Sequence, residues 1–310
     1  MMPQLLHTLN TSCRVSWTVF SNACGHFGLT ISLKKTNVMA QGADIAPTIY
    51  VNDHELDVVS DFTYLGSTVR DDLSLDSEIS RRIGRASTTF GRLSKRAWGN
   101  SKLTLKTKMA IYRACVLSAL LYASESWTLY ARQERKLNNF HMRCLRRILN
   151  IRWSDKITNN EVLARAGLPS LFSLLRQRRL RWLGHVARMS DGRIPKDLLY
   201  GELASGTRAR GRPHLRFKDA CKQDMIAFGI DINNWEDVAA ERGKWRAELA
   251  QGLRTGEAKL KQVAEDKRTR RKLMQQGDPS LQTVFRCTRC DKDCHSRVGL
   301  FSHTRKCMHL

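Results

Sequence analysis

Four residues near the end of the chain have the types and spacing for one definite piece of chemistry: Cys287-x2-Cys290, twelve intervening residues, then His303-x3-Cys307. Two cysteines three apart place a thiolate pair on a tight turn. A His and a Cys four apart share one helical face, so four soft ligands can meet tetrahedrally around one ion. The pattern predicts a zinc site, Zn2+ being the cofactor. A segment of roughly two dozen residues buries too little core to fold alone, so metal binding would supply most of its folding free energy. Thiols that share this spacing by chance in a reducing compartment are the alternative, and His309 is a second donor for the place of Cys307.

The elements that must position these ligands follow from the flanking residues. The spacing is similar to that of a ββα zinc finger whose last His is replaced by Cys. Phe285 lies two residues before the first Cys, Leu300 falls on the inward side of the helix, and Cys294 stands where a Phe is usual. Cys294 is therefore expected to be a small core residue and not a fifth ligand. Such fingers read DNA from helix positions −1, 3 and 6, which fall here on Ser296, Gly299 and Ser302. None of these forks onto a guanine as Arg does or clasps an adenine as Asn does, so the finger is poorly equipped to read sequence.

The 310 residues accommodate about two domains besides the finger, and a 42% hydrophobic content is enough for real cores. Fifty-three Lys+Arg against 29 Asp+Glu give a net charge of +24, which implies a phosphate polymer or an anionic surface as partner. The most apolar stretch, Ala110 to Ala123, is too short for a membrane helix and carries Arg113. Met1-Met2-Pro3-Gln4 lacks the basic flank and apolar run of a signal peptide. Cys13, Cys24, Cys115, Cys144 and Cys221 are scattered, as expected of reduced thiols in an intracellular protein, nuclear or cytoplasmic and not secreted.

Periodicity predicts a mainly α chain with a small α/β region at its start. Val15 to Phe27 has the pattern of a helix end. Gly28 to Leu33 and Asn37 to Met39 alternate like a bent strand pair, and Thr48 to Val51 and Phe62 to Val69 are further strand candidates. Asp76 is placed to cap the next helix, with Glu78 in its first turn. There Ile79, Ile83, Ala86, Phe90, Leu93 and Ala97 form one apolar stripe, and Arg81, Arg82, Arg85, Arg92, Lys95 and Arg96 lie off it. Leu103 to Trp127 is apolar nearly all round, as a buried central segment would be. Glu134 to Ile151 sets Leu137, Phe140, Cys144 and Ile148 on a stripe, with Lys136, Arg143, Arg146 and Arg147 elsewhere. Leu171 to Met189 repeats the scheme with Arg176, Arg178, Arg179, Arg181 and Arg188.

Basic helices with interleaved tryptophans suit a nucleic-acid backbone, but Trp153, Trp182, Trp235 and Trp245 also fit helix cores, and the core reading is preferred for each. After Gly252 the charged composition predicts a solvated linker, most basic at Lys267 to Lys272, where a nuclear-import signal is a nonspecific alternative. Arg210-Gly211-Arg212-Pro213 is either an extended minor-groove reader or a turn-rich basic loop.

Several of these segments resemble non-LTR (LINE-type) retrotransposon reverse transcriptases. Phe27 to Met39 is similar to the helix-to-strand segment that closes the palm, Phe62-Thr63-Tyr64-Leu65-Gly66-Ser67 to the primer-grip hairpin, and Glu78 to Ile83 to the start of the thumb. Arg178-Arg179-Leu180-Arg181-Trp182-Leu183-Gly184-His185-Val186-Ala187-Arg188-Met189 is the most specific match. Gly211-Arg212-Pro213, the Trp-bearing helices and the terminal Cys/His finger extend the likeness from about residue 15 to the end.

The resemblance implies a division into a palm-end and grip remnant (1–70), thumb-like basic helices (71–150), a helical C-terminal domain (151–252), a charged linker (253–284) and the finger (285–310). It also implies nucleic-acid contacts from Lys34 and Lys35, from Arg81, Arg82 and Arg85, from Arg143, Arg146 and Arg147, from Arg178, Arg179 and Arg181, and from Arg210 and Arg212. The family's chemistry needs metal-binding carboxylates from an early palm strand and a Tyr-x-Asp-Asp hairpin. Asp71-Asp72 is the adjacent pair near the grip-like strand, and it lacks both the Tyr and the strand-turn-strand setting. The expectation is a catalytically incomplete fragment, not an enzyme as encoded, that binds zinc and RNA or DNA largely without sequence preference. The alternative is a zinc-finger DNA-binding or chromatin protein that reads sequence.

Overall fold

The apolar stripes become helix faces, and the helices gather into two clusters that share one long element. A computed structural model of the chain describes residues 10–41, 48–51, 53–201, 215–275, 285–294 and 296–307. Among these the fold is mainly helical with three small antiparallel strand pairs, and no helix is long and apolar enough to cross a membrane.

Helix α1 (Asn10–His26) covers a small satellite core of Trp17, Ile49, Val51 and Leu56, in which β1 (Tyr50–Val51) pairs with β2 (His54–Glu55). The strand pair expected over Gly28 to Leu33 and Asn37 to Met39 does not form. A 3-10 turn occupies Leu33–Lys35, and a single parallel bridge joins Val38 to Val58. Local bonds win there: the Ser32 carbonyl accepts from the Lys35 amide and from the Thr36 hydroxyl, both at 3.0 Å.

Phe62 to Val69 folds back on itself as a hairpin, β3 (Asp61–Tyr64) and β4 (Ser67–Arg70), in the register Phe62↔Val69 and Tyr64↔Ser67. Leu65 and Gly66 make the turn with φ of 47° and 82°, the positive pair a tight two-residue hairpin needs. The hairpin docks on α2 (Asp76–Arg92) through polar groups. Glu78, 1% exposed, accepts from the Thr68 amide at 2.7 Å and the Ser67 hydroxyl at 3.1 Å, and pairs with Arg82 at 2.6 Å. Arg82 also donates to the Gly66 carbonyl at 2.6 Å and lies 4.5 Å from the centre of the Tyr122 ring, whose hydroxyl donates to Leu65. Asp76 sits just inside the helix and does not cap it; its carboxylate is taken by Arg132 and Gln133.

The first large cluster joins Ile79, Ala86 and Phe90 of α2 to the central segment expected from the sequence. There α3 (Leu105–Ile111) widens into a π-helical turn over Tyr112–Leu117 and closes as α4 (Ser118–Leu120). Leu137, Phe140, Cys144 and Ile148 of α5 (Ala131–Ile148) are buried in it together, as their stripe requires. Val162 and Leu163 of α6 (Asn159–Ala166) and Leu171 and Leu175 of α7 (Leu171–Ala187) complete it, so this core runs past residue 150. Leu180, Leu183 and Val186 of the same α7 belong to the second cluster, with α8 (Ile194–Tyr200), α9 (Phe217–Phe228), α10 (Trp235–Ala240) and α11 (Arg242–Gln275).

Two further outcomes differ from the sequence reading. Residues 253 to 275, expected as linker, continue α11. They contain no Pro and are rich in Ala, Glu, Lys, Arg and Leu, whose helix propensity carries the element onward with residues 261 to 273 exposed. Trp245 is buried and Trp182 and Trp235 pack against the second cluster, but Trp153 is 90% exposed. It follows the end of α5 in a 3-10 turn (Trp153–Asp155), outside any apolar stripe.

One close approach fixes how α7 meets α11. The Trp245 indole lies across Gly184 and donates to the Leu180 carbonyl at 3.0 Å, and a methyl at residue 184 would overlap the ring. Gly184→Ala is expected to destabilise the fold by about 1–3 kcal/mol through overpacking. Gly84→Ala, mid-helix with nothing within 4 Å, should stabilise it by roughly 0.5–1 kcal/mol. Thermal or urea denaturation of the two variants checks the opposite signs.

Candidate metal centre and basic faces

The terminal ligands are brought together by a short strand pair and a helix. β5 (Phe285–Arg286) pairs with β6 (Asp293–Cys294), and α12 (Arg297–Lys306) follows, its N-terminus capped by the Ser296 hydroxyl accepting from the Gly299 amide at 2.9 Å. Between the strands the Asp291 amide donates to the Cys287 carbonyl and the Cys287 amide to Lys292, both at 2.9 Å, which turns Cys287 and Cys290 toward the helix. The donor atoms of Cys287, Cys290, His303 and Cys307 all lie within 4.8 Å of one another, a set that could hold a metal ion. Cys290 Sγ is 3.0 Å from His303 Nε2, and the Cys287 and Cys307 sulfurs are 4.0 Å apart. An ion with metal–sulfur bonds of ~2.3 Å needs sulfurs roughly 3.8 Å apart, so the Cys287–Cys307 separation is compatible with zinc.

Proton sharing within the cluster is uneven. The Arg289 amide, 3.5 Å from the sulfur, leads in pulling the Cys287 thiol down to about 6, whereas the hydrogen bond to Cys290 pushes Cys307 up to about 11. A bound cation would hold all the thiols as thiolates. Cys294 is buried opposite Phe285 in the strand pair, a core position outside the four-donor set. His309 lies outside the described residues. Of the three positions suited to base reading, Ser296 is engaged in the cap, Gly299 has no side chain and Ser302 is exposed.

The sequence-predicted cations divide by environment. Arg82 and Arg179 are each 3% exposed and face protein: Arg82 meets Glu78 and Gly66, and Arg179 meets Asp224 and the Trp127 carbonyl, both at 2.7 Å. Neither is available to a phosphate, which corrects the expectation for both. Periodicity placed them off the apolar stripe but could not show the buried carboxylates that meet them. Arg146 and Arg178 are half-buried and donate to main-chain carbonyls, of Ile157 and Leu121 respectively. Arg81 pairs with Asp61 and donates to Thr63, and Arg85 reaches Gly66 from the surface. Lys34 and Lys35 are exposed in their 3-10 turn, and Arg143, Arg147 and Arg181 are exposed on α5 and α7. Arg210 and Arg212 lie outside the described residues.

On α5 the exposed cations align. Arg132, Lys136, Arg143 and Arg147, with Asn139 between them, recur every three or four residues and are all exposed, forming one stripe about 22 Å long. Its one ion pair joins Arg132 to Asp76, and the Lys136 ammonium donates to Ser80 at 2.8 Å. Arg132 was not singled out from the sequence, although its spacing of four to Lys136 carried the signal. Asp71 and Asp72 occupy the turn between β4 and α2. Asp72 accepts from the Ser74 amide at 2.8 Å and from Arg70, so the pair organises a loop.

Comparison with known proteins gives one relationship. The chain is 25% identical over 235 residues to a transposon-derived protein of Caenorhabditis elegans, a match covering 72% of this chain and 84% of that protein. A contiguous match of that extent necessarily includes the central helices. No protein-family model and no solved structure matches the chain. The relationship supports an origin in transposon sequence.

Proposed function

We propose that the chain is a nucleic-acid-handling part of a LINE-type reverse transcriptase that holds zinc at its terminal cluster and grips RNA or DNA by the backbone, with no polymerase chemistry of its own. The α5 stripe carries this reading. It presents cations along one rigid edge at a spacing a phosphate chain can follow, and no acidic side chain lies on its exposed line. The transposon-derived relative and the net charge of +24 are consistent with it. Asp71 and Asp72 are spent on their own loop and are not proposed as metal-holding carboxylates. The terminal module acts in this reading as a zinc-stabilised docking piece in a ββα arrangement, since its base-reading positions are capped, bare or small.

Binding to an RNA–DNA duplex is expected to weaken steeply with salt. Replacing both Arg143 and Arg147 by Ala should lower the slope of log affinity against log salt by about two, roughly one per lost phosphate contact. Arg179→Ala should instead lower stability by about 2–4 kcal/mol, because it leaves the buried Asp224 carboxylate with only the longer Arg176 contact and the Trp127 carbonyl without its donor. Fluorescence anisotropy over a salt series, beside thermal melts, separates the two effects; undetectable or salt-insensitive duplex binding would refute the nucleic-acid reading. Primer extension with magnesium or manganese is expected to yield no product.

One equivalent of Co2+ should bind the terminal cluster with the strong visible absorption of a tetrahedral thiolate site and be displaced by Zn2+. Cys290→Ala should abolish that spectrum, and Cys294→Ala and His309→Ala should preserve it. A spectrum lost with His309 and kept without Cys307 would reassign the fourth ligand.

A further inference from the structure

A tryptophan that is 90% exposed on an unpinned tail would mean little, and Trp153 is not on one. Its turn is fixed at both ends. Asn150, with φ 52°, closes α5 by donating to the Arg147 carbonyl at 3.3 Å, and the Ile151 amide donates to Arg146 at 2.9 Å. The Asp155 carboxylate accepts from the Arg152 amide at 2.7 Å, the Lys156 amide returns to the Trp153 carbonyl at 3.2 Å, and Arg146 holds the Ile157 carbonyl at 2.9 Å. Ile151 and Ile157, on either side, pack against the first large cluster. The backbone therefore holds the indole out in water, where an apolar ring of this size gains nothing for the fold.

The surroundings select the kind of partner. Arg152, Ser154, Asp155 and Lys156 are all exposed around the ring, and Arg147, in the last turn of α5, ends the cationic stripe just before this loop. A lone ring among charges does not make the contiguous apolar patch that the centre of a protein interface requires. Cations for phosphates and an aromatic face for a base are what single-stranded nucleic acid requires. A duplex keeps its bases stacked within the helix and offers the ring only its ends.

We propose that Trp153 is a stacking platform for an unpaired base of single-stranded RNA or DNA whose backbone runs along Arg143 and Arg147. This rests on the nucleic-acid reading of the α5 stripe and adds to it a preference for unpaired strand. Stacking on an aromatic side chain is sequence-tolerant, because every base has a π face, and is typically worth tenfold or so in affinity per base.

The test uses the full chain with Trp153→Ala and Trp153→Phe, titrated into a mixed-sequence single-stranded oligoribonucleotide, its deoxy counterpart and a blunt duplex of the same length. Trp153→Ala is expected to lose about tenfold for both single strands, with duplex affinity, salt slope and melting temperature unchanged, and Trp153→Phe to retain most of the binding. A loss confined to one of the two single strands would keep the platform and assign its sugar preference. If wild type binds and the Arg143/Arg147 variant weakens, but Trp153→Ala binds single strands as tightly as wild type, the stacking role is overturned while the stripe stands. If wild type binds no nucleic acid, the underlying reading fails and the platform with it. A change of oligomeric state on Trp153→Ala, seen by sedimentation, would place the ring in a contact between protein copies and overturn the proposal.

Discussion

The contact between Arg179 and Asp224 makes α7 a member of two cores at once. An unpaired guanidinium at that depth would cost several kcal/mol; here it meets a carboxylate from α9 at 2.7 Å and the Trp127 carbonyl at the same distance, with Arg176 reaching the same carboxylate at 3.5 Å. Burial pushes the Asp224 carboxyl above the usual carboxylate range, and the two arginines oppose that push. Leu175 on one side of Arg179 belongs to the first cluster and Leu180 on the other to the second, so the ion pair lies at their junction. Five residues later in the helix Gly184 admits Trp245, which ties α11 to the same spine.

A second polar clamp does for the hairpin what Arg179 does for the helices. β3 and β4 expose much of their surface and could not hold their place by apolar burial alone. Glu78 and Arg82 supply the hold from within α2: one carboxylate takes an amide and a hydroxyl of β4, and one guanidinium takes the turn carbonyl. Hydrogen bonding to Arg82 and Thr68 outweighs burial at Glu78 and keeps its carboxyl below the ordinary range. Both clamps place a charged pair where the helix pattern shows only a residue off the apolar stripe.

That is why the fold was more legible in the sequence than the basic surface. Apolar spacing alone located α2, α5 and α7, because burial of Ile79, Phe90, Leu137 or Leu180 depends on the helix they belong to and little else. The four metal donors were legible for a similar reason, since a turn, one helix and the residue that ends it bring Cys287, Cys290, His303 and Cys307 together locally. Whether an arginine faces water or a carboxylate depends on residues such as Asp224, 45 positions away from Arg179, which no local pattern specifies. The exposure of Trp153 was hidden likewise, because spacing carries no information beyond the helix end at Ile148.

The most distinctive stretch, Arg178 to Met189, therefore says more about folding than about binding. Arg178 holds the Leu121 carbonyl, Arg179 the Asp224 carboxylate, Arg188 the Ala239 carbonyl, and Gly184 makes room for Trp245. Arg181 and His185 are what it leaves in water. Residues held in this way are constrained by packing, and their identity carries no information about chemistry or ligand. In the proposed reading the contacts with nucleic acid lie instead on α5, whose exposed cations could be changed with little disturbance of the core. A shared fold and a shared ligand are separate claims for this chain, carried by different faces of neighbouring helices.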